Sequence, residues 1–135
     1  MVQRLAEIAL SYAEELARVL NSEVILLYVG EPAESQYLHM HQLYIEKMAE
    51  LVRSHVKEGT RVKVKSVTLL GEPAQEIIKF ADETNIRLVA ISSYGHSGIR
   101  QWIFGSVTHK ILQASNTPAL MVISCKNRGF CPSCL

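Results

Sequence analysis

The chain has 135 residues, 48% of them hydrophobic, with 14 lysines and arginines against 13 acidic residues and three cysteines. That composition suits one folded domain with a real core and excludes a disordered chain, while a net charge of +1 gives no electrostatic pull toward nucleic acid or an anionic membrane. No apolar run approaches a membrane span. Glu7, Glu14, Glu15 and Arg18 interrupt the first segment at helical spacing, unlike a signal peptide, and the cysteines make no disulfide framework, so the reading is a cytoplasmic protein.

Taken in chain order, residues 4 to 20 read as an amphipathic helix. Leu5, Ile8, Ala9, Tyr12, Leu16, Val19 and Leu20 recur at three- and four-residue spacing, and Asn21-Ser22 breaks the pattern. Glu23 to Val29 is a continuous β-prone run, as in a strand covered on both faces, and Gly30-Glu31-Pro32 ends it. A polar connector follows to about residue 37. A second helix is expected from Tyr37 to Lys57, with Tyr44, Ile45, Met48, Leu51 and Val52 as its buried stripe and Glu50 and Arg53 on its solvated side. Gly59 reads as its stop.

Val62 to Leu70 is valine-rich and reads as a strand. Gly71-Glu72-Pro73 is a turn that places Pro73 in the first helical position. Ala74 to Glu83 is a third helix, packing through Ile77, Ile78 and Ala81. Leu88 to Ile91 is a short buried strand, followed by a Ser/Gly-rich loop from Ser92 to Gly98. Gly105-Ser106 opens a helix with Val107, Ile111 and Leu112 on one face. Asn116-Thr117-Pro118 stops it, and Ala119 to Ile123 is the last strand. Helices alternating with strands predict an α/β fold with an open parallel sheet and helices on both faces. Residues 1–124 form this domain. Residues 125–135 are a tail carrying one C-x-x-C, at Cys131 and Cys134, with Cys125 upstream.

Strand, glycine loop and helix start, in that order, present free N–H groups and a positive helix end to an anion such as phosphate. Gly95 and Gly105 let the backbone come close to a ligand. Ser106 fits either a ligand-facing hydroxyl or a plain N-cap. Several other residues carry two readings each. His96 is a phosphate contact or an exposed loop residue. His39 and His41 are exposed polar residues unless further metal ligands converge on them. Trp102 and Phe104 anchor the loop or cap a pocket. The tail cysteines are a metal knuckle, a redox pair, or reduced thiols on an unstructured segment. No paired carboxylates or nucleophile–histidine pairing suggests a catalytic site.

The stretch from Ser92 through Gly95 to Gly105-Ser106 resembles the closing signature of the universal stress protein family: Gly, two residues, Gly, nine residues, Gly-Ser or Gly-Thr. Ser92 departs from it by standing at the first glycine position. The resemblance implies a Rossmann-like fold of the adenine nucleotide alpha hydrolase kind. It also implies ATP binding, with Mg or Mn alongside, through Val29, Ser92, Gly95, Gly105, Ser106 and Val107. Slow ATP hydrolysis is the most that is expected. The alternative is a non-nucleotide module of the same fold that dimerises and docks partners; a metal- or thiol-responsive regulator acting through the tail is a third reading. Homodimerisation is expected through the apolar edge strand Ala119, Leu120, Met121, Val122 and Ile123.

Family members also begin with a strand ending in Asp, immediately before the first helix. Met1 falls where that strand should have just ended. Without it, two sheet halves should face a gap. An upstream start, direct pairing of the neighbouring strands, or a strand donated by a partner chain would each answer that gap.

Overall fold

The computed structural model describes residues 2–56, 62–94 and 106–124. The helices and strands alternate as α1 (Val2–Leu20), β1 (Val24–Gly30), α2 (Leu38–Val56), β2 (Val64–Leu70), α3 (Pro73–Glu83), β3 (Val89–Tyr94), α4 (Ser106–Ala114) and β4 (Ala119–Ser124). The polar connector after β1 is a 3-10 helix, Pro32–Tyr37. Its first turn is closed by a capping box in which the Glu31 N–H donates to Glu34 Oε2 at 2.9 Å. No described helix is long and apolar enough to cross a membrane.

Local chemistry explains the boundaries. Asn21 takes a left-handed φ of 49° and lets the Ser22 N–H reach back to the Ala17 carbonyl at 3.0 Å, which ends α1. Asn85, at φ 53°, does the same for α3, with the Ile86 N–H on the Ala81 carbonyl at 2.9 Å. Glu72 caps the start of α3 by accepting from the Gln75 N–H at 2.8 Å, with Pro73 behind it where no N–H is needed. The expected stop at Gly59 lies outside the described residues.

The strands form two separate parallel pairs. β1 pairs with β2 from Val24↔Val64 to Gly30↔Leu70, and β3 pairs with β4 from Val89↔Ala119 to Tyr94↔Ser124. β1 and β3 do not pair with each other. The expected gap between sheet halves is therefore present, and direct closure of the neighbouring strands does not occur. β3 is also longer than its apolar run. Ser92, Ser93 and Tyr94, expected as loop, continue the ladder opposite Val122, Ile123 and Ser124. Pairing with a strand of equal length outweighs the weak β preference of serine.

α1 packs with α2, and α3 with α4. The main core lies between α2 and the β1–β2 pair. It comprises Ala17, Val24, Leu26, Met48, Ala49, Val52, Val56 and Val64, with Leu10, Tyr44, Ile45 and Val62 against it. Several stripe positions expected to be buried are not. Tyr12, Val19, Leu20, Leu51 and Leu112 are all exposed, while Ala17, Ala49 and Ala74 are buried; Met48, Val52 and Ala81 are buried as expected.

Arg53 does not sit free on the solvated side with Glu50. Its Nε and Nη2 donate to the Val64 carbonyl at 3.2 and 2.9 Å, and its Nη1 donates to Glu46 at 2.7 Å. Ser66 donates to the other Glu46 oxygen, so α2 is tied to the start of β2. The bonds from Arg53 and then Ser66 hold the Glu46 carboxyl below the usual carboxylate range.

Candidate functional site

The two half-sheets border a cavity of about 330 Å³. Ile25, Leu27 and Tyr28 of β1 line one wall, and Val89, Ala90 and Ile91 of β3 line the other. Tyr44, Ile45 and Met48 of α2 contribute to the lining, as do Ile77, Phe80 and Ala81 of α3. Val24 and Leu26 are buried in the main core, while Ile25 and Leu27 face the cavity. The walls are almost wholly apolar, so this space favours apolar or aromatic groups over charged ones.

The carboxyl ends of the strands carry the polar features. The Gly71 N–H donates to the Gly30 carbonyl at 2.9 Å, placing the turn after β2 against the end of β1. The next residue, Glu72, receives Lys110 Nζ at 3.1 Å from one turn inside α4. Val29 and the first turn of α4 are thus linked through the Gly71-Glu72 turn. The Gln75 N–H first, and Lys110 second, hold the Glu72 carboxyl below its ordinary range. Its anionic form balances Lys110 and caps α3.

Of the residues expected to bind a nucleotide, Val29 is half-buried near the end of β1, opposite Leu69. Ser106 is the first residue of α4, and Val107, behind it, is half-buried. Ser92 lies in β3, opposite Val122, and not in a loop. Gly95, Gly105, His96, Trp102, Phe104 and the three tail cysteines lie outside the described residues. Among the described residues no group of His, Cys, Asp and Glu could hold a metal ion.

Sequence reasoning missed Tyr28 and its neighbours. The Tyr28 ring stacks on His41 of α2 with centroids 4.4 Å apart and planes 16° from parallel. His41 Nε2 is buried without a hydrogen-bond partner. Burial, and then the nearby Glu34 carboxylate, push the Tyr28 phenol above its usual range. His39 is exposed as expected, whereas His41, expected to be exposed with it, is half-buried against this ring. The available signal was helical phase: residues 41, 44, 45 and 48 share one face of α2.

Comparison with known proteins extends this picture. The sequence pattern of the universal stress protein family matches residues 3–122. The chain is similar to the universal stress protein YxiE of Bacillus subtilis (strain 168). The two are 32% identical over 130 residues, spanning 84% of this chain and 88% of that protein. The fold matches the solved structure of MJ0577 of Methanocaldococcus jannaschii with a TM-score of 0.71 at 26% identity, over 90% of this chain and 89% of that one. It also matches a universal stress protein from Archaeoglobus fulgidus solved in complex with dAMP. There the TM-score is 0.67 at 24% identity, over 87% of this chain and 86% of that one, a likeness of fold.

Proposed function

This chain belongs to the universal stress protein family, and from that premise we propose that it binds an adenine nucleotide as a small cytoplasmic stress-response sensor. The observation that carries the reading is the link between the end of β1 and the first turn of α4 through Gly30, Gly71, Glu72 and Lys110. It supports a site with Val29 on the adenine side and the Ser106 helix start on the phosphate side. A helix start offers N–H groups that no intrahelical carbonyl uses. Gly95, Gly105 and Val107 complete the proposed contacts, with Mg or Mn accompanying the phosphates. The dAMP complex of the Archaeoglobus relative supports an adenine nucleotide as the ligand class. Binding, with at most slow ATP turnover, is the proposed signal.

Calorimetry with ATP on the wild-type protein and on Gly105→Val tests this reading. Wild type is expected to bind. The branched side chain is expected to block phosphate approach and weaken affinity at least about tenfold. Equal affinities would sink the proposal. The second reading, a partner-docking module without nucleotide, is favoured by Ser92. That residue stands in paired strand β3, where the family signature has a glycine. A wild-type protein that neither carries nucleotide when purified nor takes it up would select this second reading.

Both readings include a homodimer through residues 119–123. β4 has β3 on one edge and no strand on the other among the described residues. Its run Ala-Leu-Met-Val-Ile carries no charge to deter pairing. Antiparallel pairing with its own copy is self-complementary and closes as a two-fold dimer. Met121→Pro removes a donor N–H and is expected to give a folded monomer in light scattering. A dimeric proline variant, or a wild-type monomer at high micromolar concentration, would rule out this interface.

A further inference from the structure

The outer edge of β2 is closed at one end by side chains of α2. In the parallel β1–β2 ladder the Val24 N–H donates to the Lys63 carbonyl at 2.8 Å, and just past it the Gly71 N–H donates to the Gly30 carbonyl at 2.9 Å. Lys65, Val67 and Leu69 therefore turn their backbone groups toward β1, while Val64, Ser66, Thr68 and Leu70 turn theirs away. No strand meets that outer edge among the described residues. Its first acceptor, the Val64 carbonyl, takes two N–H groups from Arg53, Nε at 3.2 Å and Nη2 at 2.9 Å. Nη1 of the same guanidinium donates to Glu46 at 2.7 Å, and the Ser66 hydroxyl donates to the other carboxylate oxygen. The Arg53 and Glu46 side chains are 38% and 45% exposed, so this network is not there to fill the core. The guanidinium stands where a pairing strand would place its own N–H.

We infer that Arg53, held by Glu46, is a gate on the outer edge of β2 that keeps this strand from pairing with a second copy of the chain. The strand has little other protection. From Ser66 to Leu70 it reads Ser-Val-Thr-Leu-Leu, an uncharged run with β-branched residues. Its single charge, Lys65, is already paired with Glu23 at 2.7 Å. A bare edge of seven residues can pair antiparallel with its own copy about a two-fold axis. With Val64 capped, an incoming strand loses the first acceptor and meets a guanidinium and a carboxylate. Displacing them breaks charge-assisted hydrogen bonds. The gate matters because the sheet has another open edge at β4. Pairing through one edge closes as a dimer, whereas pairing through both links chains without end. The inference is independent of nucleotide binding, and it concerns the edge opposite to the proposed dimer strand.

The test uses the full chain. Arg53→Met keeps a good helix former with an apolar stem and removes every donor. The variant is expected to fold, as read by circular dichroism. In light scattering its weight-average mass is expected to be at least about twofold above that of wild type and to rise with concentration. Thr68→Pro in the same background removes an N–H that points away from β1. The ladder to β1 is kept, outer-edge pairing is lost, and the mass is expected to return to the wild-type value. Glu46→Ala removes the acceptor that holds Arg53 and is expected to raise the mass in the same direction, which keeps the question decidable if Arg53→Met does not fold. Wild-type mass in the folded variants would overturn the inference. So would a raised mass that Thr68→Pro leaves unchanged, because association would then run through another surface.

Discussion

Replacing Val52 by aspartate is expected to remove a large part of the stability of this domain. Val52 is 1% exposed on α2, within the cluster that includes Val24, Leu26, Met48, Ala49, Val56 and Val64. A carboxylate there has no hydrogen-bonding partner in the surrounding cluster. Arg53 is adjacent in sequence, but its guanidinium already bonds Glu46 and the Val64 carbonyl. An unpaired buried charge costs about 3–5 kcal/mol, against a total of about 5–15 kcal/mol for a typical domain. Melting followed by circular dichroism should show a midpoint lower by on the order of 10 °C or more, or no cooperative transition. The neighbouring Leu51→Asp is the control. Leu51 is 45% exposed, and its variant should stay within about 0.5 kcal/mol of wild type. Comparable losses for the two variants would mean that α2 does not present this face to the sheet.

The second large effect is expected at Ile111→Ala. Ile111 is 1% exposed in α4, the helix that packs with α3. Truncation removes apolar contacts and leaves a cavity, at a cost of about 2–5 kcal/mol. Its sequence neighbour Leu112 is 46% exposed, so Leu112→Ala should cost less than about 1 kcal/mol. Urea midpoints of the two variants measure the difference. Equal midpoints would show that α4 is not anchored through Ile111. Because α4 begins at Ser106, loosening it should also disturb the proposed phosphate side of the site.

Much of the candidate site was legible as order along the chain. A strand ending at Val29 and a helix opening at Ser106 follow from periodicity and turn chemistry, and both elements are found. Their connection was not legible. The Gly30–Gly71 hydrogen bond and the Glu72–Lys110 ion pair join residues 41 and 38 positions apart, and no local pattern encodes such pairs. The same holds for Tyr28 and His41, whose stacking depends on α2 lying across β1 at one particular angle. The family signature, by contrast, is a local pattern and was readable directly.

The sequence by itself determined the alternation of helices and strands, most of their ends and the family. These properties depend on residue spacing, on proline and asparagine at boundaries, and on apolar runs, all of which act over a few residues. Only the tertiary structure decided which arc of each helix is buried. An apolar stripe defines a face, but the neighbour selects the line of contact. Ala17 and Ala49 are buried while Tyr12, Val19 and Leu51 of the apolar stripes stay exposed, whereas Met48, Val52 and Ala81 are buried where the sequence placed them. Tertiary pairing also carried β3 through Ser92 and Ser93 to Tyr94, because each residue found a partner on β4. The open trough was decided at the same level. β1 pairs only with β2 and β3 only with β4, and apolar side chains of α2 and α3 line the space between them, contacts between residues far apart in sequence that no local pattern encodes.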